Sequence, residues 1–201
     1  MKRLTNLIVL CVGLLVAASA FAQTAVVQSL ANVTNKGATY HAAATYELVA
    51  NPSDFLVIAG SATKTVYVKS VKATCTLTTA AQATLYMYKR TTATTVVSAT
   101  ALSAVPADSS DSAATAAVYT YVSGTAADPT PGTGVVIDIQ KMSLLAPGTA
   151  AGGATVYSRD FGVGMDRYLT LRGVAQNLTL SFADAAVTGA LCAVSVSWIE
   201  R

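Results

Sequence analysis

From Thr39 onward, apolar and polar residues alternate in short runs, and Gly, Pro, Asn, Asp and Ser break the runs at close intervals. Alternation of period two sends successive side chains to opposite faces of a pleated strand, so the chain reads as a series of short strands. His41 falls at the start of one of them, in Tyr40-His41-Ala42. Phe55-Leu56-Val57-Ile58-Ala59, after the turn composition of Asn51-Pro52-Ser53-Asp54, predicts a buried strand. From Lys64 to Leu77 the alternation changes phase. Val66 and Val68 share one face, while Val71, Ala73, Cys75 and Leu77 share the other, and a bulge near Lys69-Ser70 reconciles the two sets. Gln82 to Arg90 alternates again, with Leu85 and Met87 opposite Thr84, Tyr86 and Tyr88, and reads as the pairing partner of the preceding strand.

Thr91 to Ser112 is polar and small, with loop chemistry from Val105-Pro106 to Asp111. It is long for a connection and is the first place to expect a contact surface. Ala116 to Ser123, with an Ala-rich start compatible with a helical turn, predicts a further strand, as do Val135 to Leu145 and Thr155 to Phe161. Leu169 with Leu171, then Leu178, Leu180 and Phe182, then Cys192, Val194, Val196 and Trp198 mark three more, each with one apolar face. About nine strands in one domain predict an all-β fold of two packed antiparallel sheets. Unequal connections favour a jelly-roll or Greek-key path over a meander. No repeat of 20 to 50 residues is present, which argues against a solenoid or propeller.

The N-terminus has a different pattern. Lys2 and Arg3 precede an apolar run from Leu7 to Val16 and the small-residue sequence Ala20-Phe21-Ala22. This is the pattern of a secretory signal peptide over residues 1–22, cut before Gln23. The run is shorter than the roughly 20 residues that span a bilayer, so membrane contact is expected only before cleavage. Residues 23–38 read as an N-terminal arm and 39–201 as a single β-sandwich domain. Export places the protein in the periplasm, outside the cell or on its surface. Cys11 leaves with the signal peptide. Cys75 and Cys192 each align with apolar neighbours at spacing two and point inward; in an oxidising compartment they either form a disulfide or remain two buried thiols.

Composition narrows the function. Charged residues make up 11% of the chain and the net charge is +3, too little basic surface for a nucleic-acid backbone. A surface of Thr, Ser and Ala suits packing against copies of the chain or against other structural proteins. The single histidine, His41, has no nucleophile elbow to serve, and with two distant cysteines it cannot complete a tetrahedral zinc site. Ser61-Ala62-Thr63-Lys64 matches S-x-x-K without the companion motifs of that acyl-transfer chemistry. Asp160-Phe161-Gly162 lacks the other elements of a kinase. No enzyme and no cofactor are expected. Asp108 and Asp111, in a Ser-rich loop, are candidate oxygen ligands for calcium, although the regular spacing of an EF-hand is missing. Tyr86 with Tyr88, and Tyr119 with Tyr121, project in pairs from one face of their strands. Exposed, they offer stacking surfaces to a protein partner or a surface glycan; buried, they are cross-strand packing.

Ser53-Asp54-Phe55-Leu56-Val57-Ile58-Ala59-Gly60-Ser61-Ala62-Thr63-Lys64-Thr65-Val66-Tyr67-Val68 resembles a stretch found in little-characterised phage-encoded proteins associated with the virion. Tyr88-Lys89-Arg90-Thr91, the loop from Val105-Pro106 to Ala114, Asp160-Phe161-Gly162, Leu171-Arg172-Gly173 and Ser197-Trp198-Ile199-Glu200 are similar to that family in order and spacing. The resemblance covers most of the chain after the signal peptide. It implies a β-sandwich with a structural role and carries no catalytic residue across. The expected function is a non-enzymatic structural or surface-display subunit of a virion or of an exported assembly. The alternative is a secreted carbohydrate-binding or adhesive module.

Overall fold

The computed structural model describes residues 37–48, 54–94, 99–121, 132–146, 155–162, 168–182, 187 and 189–201. The expected signal peptide, its cleavage site and the arm as far as residue 36 lie outside them. Alternation of apolar residues becomes strand throughout. The strands are β1 (Ala38–Leu48), β2 (Leu56–Ala59), β3 (Thr65–Thr76), β4 (Ala81–Arg90), β5 (Ala99–Leu102) and β6 (Val105–Pro106), followed by β7 (Ala117–Tyr121), β8 (Gly134–Leu144), β9 (Val156–Asp160), β10 (Leu169–Arg172), β11 (Asn177–Ser181) and β12 (Ala190–Glu200). They form two six-stranded sheets. The first runs β10-β3-β12-β1-β6, with β9 also on β3; the second runs β5-β7-β2-β11-β4-β8. Every pairing is antiparallel. The architecture is the expected all-β pair of antiparallel sheets, and Ala38–Arg201 cluster as one compact unit.

The phase change in β3 is a bulge. Ser70 pairs with Ser197 and Val68 with Trp198, which leaves Lys69 as the extra residue. Consequently Val66, Val68, Val71, Ala73 and Cys75 all face the core, each at most 1% exposed. Within the core, Trp198 stacks on its register partner Tyr40 at 5.7 Å on the first sheet, and Phe55 stacks on Phe182 at 4.9 Å beside β2 and β11 of the second. Leu48, Ile58, Leu85, Met87, Met142, Leu144, Leu171 and Leu178 fill the remaining interior.

Three expectations are corrected. β4 is not the partner of β3: it lies in the other sheet between β11 and β8, so Leu85 and Cys75 contribute to one core from opposite layers. The stretch from Thr91 to Ser112 is not wholly loop. It holds β5, and it holds β6 in the segment read as loop, where Pro106 pairs with Tyr40 at the sheet margin. Proline, lacking an N–H, is tolerated at an edge because no outward neighbour needs that donor. Ala116 begins no helical turn; it precedes β7 directly.

Candidate functional site

Of the tyrosines singled out by spacing, Tyr86 and Tyr88 stand together and Tyr119 stands apart from them. Tyr86 and Tyr88 on β4 stack at 6.0 Å, and the Arg90 guanidinium lies 4.3 Å from the Tyr88 ring centre. Tyr119 on β7 shares their face through the register Tyr119–Val57–Thr179–Tyr88. Three strand spacings, roughly 14 Å, therefore separate it from Tyr88. The Tyr121 side chain is outside the described set. Tyr86, Tyr88 and Tyr119 are half-buried.

Beside Tyr86 and Tyr88 runs β8, the last strand of the second sheet. Ile139 stands opposite Tyr86 and Val136 opposite Tyr88. Val135, Val136, Ile137 and Ile139 are 64%, 42%, 36% and 57% exposed. The backbone of this edge is guarded. A bulge leaves Ile137 without a partner on β4, and Asp138 Oδ1 accepts the Ile139 N–H at 2.9 Å while its Oδ2 accepts the Tyr157 hydroxyl at 2.9 Å. Burial, followed by the bond to Asp138, pushes the Tyr157 phenol far above its ordinary value and keeps it a donor. A bulge and a carboxylate on an edge strand discourage the addition of a further strand. Apolar side chains remain available; the ladder does not.

Two buried networks were not evident from the sequence. Arg90 Nε and Nη2 donate to Asp54 Oδ2 and Oδ1 at 3.0 and 2.5 Å, Thr94 donates to Oδ2 at 2.8 Å, and Arg90 Nη1 donates to the Gly132 carbonyl at 2.9 Å. The pair is bidentate and fully enclosed, so it pins the start of β2 to the end of β4. Asp54 had read only as a turn residue. The second network surrounds Glu200, which accepts the N–H groups of Thr115 and Ala116, the Thr115 hydroxyl at 2.7 Å and the Trp198 indole N–H at 3.0 Å. Lys64 Nζ lies 3.5 Å from its Oε2. Burial alone raises the pKa of a carboxyl; here the bonds from Ala116, Trp198 and Thr115 outweigh burial and hold Glu200 below its ordinary value.

The S-x-x-K segment is absorbed by this second network. Ser61 Oγ accepts the N–H groups of Thr63 and Lys64 at 3.1 Å each. It also meets Thr115 Oγ1 at 2.7 Å. Because the single Thr115 proton goes to Glu200, Ser61 donates to Thr115. Ser61 is 1% exposed, and Lys64 is directed at Glu200, so the pair forms a turn and an ion pair.

Cys75 and Cys192 stand directly opposite each other on β3 and β12. Their sulfurs are bonded, closing a separation of 117 residues, which contributes roughly 2–4 kcal/mol by restricting the unfolded chain. Asp108 is exposed; Ser110 donates to its Oδ1 through its N–H at 2.9 Å and its hydroxyl at 2.7 Å. The backbone bond first and the hydroxyl second lower its pKa. The Asp111 N–H bonds back to the Asp108 carbonyl at 3.0 Å, so the two residues close a turn. Among the described residues no three His, Cys, Asp or Glu side chains gather as metal ligands.

His41 projects from the outer face of the first sheet into a groove of about 610 Å³. Ser197 is its register partner on β12, and Ser70 is the next along the same row. Comparison with family models, with curated proteins and with solved structures gives no match.

Proposed function

We propose that the protein is a non-enzymatic structural subunit of a virion or of an exported surface assembly, and that copies of it pack through the margin of the second sheet. The observation that carries this reading is the pair Val136 and Ile139 on β8, with Ile137 at the bulge between them, which lies open beside the stacked Tyr86 and Tyr88. Contiguous apolar surface of this kind marks a protein contact, and half-buried tyrosines flanking it are typical anchors. The partner is a second copy. Side chains on one face of an edge strand meet their own counterparts across a two-fold axis, and an axis midway between Val136 and Ile139, which share the face of Tyr88 and Tyr86, sets one against the other with no pair of like charges opposed. The guarded backbone of β8 limits such contact to side-chain packing and opposes open-ended strand addition.

The described chemistry supports a structural role. The S-x-x-K serine is enclosed and its lysine is paired elsewhere. Sedimentation of the protein from residue 23 onward tests the reading, alongside Val136→Lys and Ile139→Lys. Dimers or larger assemblies are expected for the natural sequence, with at least about tenfold weaker association for either variant, since each places a charge in an apolar contact. A natural protein that stays strictly monomeric at high concentration and binds no particle overturns it.

A further inference from the structure

The outer face of the first sheet carries a second feature, independent of the β8 margin. The groove there is lined by His41 and Ala43 on β1, Ser195 and Ser197 on β12, Ser70 and Lys72 on β3, and Ser103 and Val105 at its rim. Short side chains on β12 and the adjoining strands make its floor. Val105, 60% exposed, rises on one side and Lys72 on the other. We propose that this groove binds a sugar-sized ligand carrying a carboxylate, sulfate or phosphate group.

The chemistry of the lining selects that class. Its volume lies within the range of small-molecule sites, about 300–1,000 Å³. Lys72 is the one formally charged lining residue, and its ammonium favours an oxyanion over a cation; Asp160 on β9, the register partner of Ser70, stands beyond the lining at that edge. Among the described residues, no ion pair or side-chain hydrogen bond engages Lys72, His41 or Ser195. Their donors and acceptors are available to a ligand. Ser70 and Ser197 meet hydroxyl to hydroxyl at 2.8 Å. Whichever of them donates, the other keeps its own proton for an incoming oxygen. That bond also fixes both side chains before anything arrives, and Ser197 is only 8% exposed. The two ring nitrogens of His41 add hydrogen-bonding positions for the hydroxyls of a sugar. No Phe, Tyr or Trp lines the groove. A neutral sugar therefore lacks the ring stacking that drives recognition without charge, and affinity must come from Lys72 and the hydroxyls. All the floor residues sit on paired strands of one sheet, a rigid support for a preorganised site.

Titration of the isotope-labelled protein with glucuronate and with glucose 6-sulfate, followed by amide NMR and compared with glucose, tests the proposal. Saturable shifts are expected at His41, Ser70, Lys72 and Ser195 with the acidic probes, and none with glucose. Lys72→Gln is expected to weaken binding by about 10- to 100-fold, the value of one hydrogen bond to a charged group, while Lys72→Arg retains it. Melting of both variants confirms that they fold. The proposal is overturned if neither acidic probe shifts these amides, if glucose binds as well as they do, if Lys72→Gln binds unchanged, or if Lys72→Arg loses binding together with it.

Discussion

Glu200 is the residue whose surroundings are most demanding. A carboxylate at 2% exposure is costly to bury unless its oxygens are fully occupied, and Thr115, Ala116, Trp198 and Lys64 occupy them. Its pKa is lower in the folded protein than its ordinary 4.5. Between those two values the unfolded chain binds more protons than the folded one, so stability rises with pH across that window. The contribution is complete above the ordinary value and is lost as pH falls through the folded one. Glu200→Gln keeps the shape but sets an amide N–H₂ against groups that are themselves donors. It should cost about 1–3 kcal/mol near neutrality, and the difference from the natural protein should shrink at acid pH. Urea unfolding of both proteins at about pH 6 and about pH 3 measures this; an equal deficit at both would remove the carboxylate from the account of acid sensitivity.

At the scale of elements, β3 is where the sequence was most readable. Its alternation is strong on both sides of Lys69, and only an extra residue can place both halves on the core side. Deleting Lys69 should send either Val66 and Val68 or Val71, Ala73 and Cys75 to the outer face. Losing two fully buried valines alone costs about 3–6 kcal/mol, so the variant is expected to lose its cooperative transition. A melting curve within a few degrees of the natural protein would refute the bulge as the device that sets register. Other elements were less readable for physical reasons. β11 is buried at every position, so the polar face of Asn177, Thr179 and Ser181, which alternation assigns to solvent, is covered as well. The Asp54–Arg90 and Glu200 networks join residues far apart along the chain, and neither partner's local pattern announces the other. The β8 strip was readable as a strand but not as an exposed one, because apolar residues look alike whether a second sheet covers them or solvent does. The groove depended on three strands coming into register, which only pairing reveals.

For the whole molecule, the pairing list has one dominant property: among the described strands, none pairs with its neighbour in sequence. Each ladder must close a substantial loop before it gains a contact, and loop closure precedes any reward. Refolding is accordingly expected in the range of milliseconds to seconds, as for other domains dominated by non-local pairing. The chain has one tryptophan, Trp198, buried against Tyr40 and bonded to Glu200, so stopped-flow fluorescence reports this event directly. Sub-millisecond recovery of the native signal would contradict it. The same arrangement governs biosynthesis. β12 lies between β1 and β3 in the middle of the first sheet, yet it is translated after every other described strand. A ribosome-bound chain that lacks it has a sheet split along its centre, with β1 and β3 each missing a neighbour. The first sheet therefore closes only once β12 is free to pair with both neighbours. Until then β1 and β3 each present an unpaired edge, which leaves the incomplete sheet open to pairing with other chains.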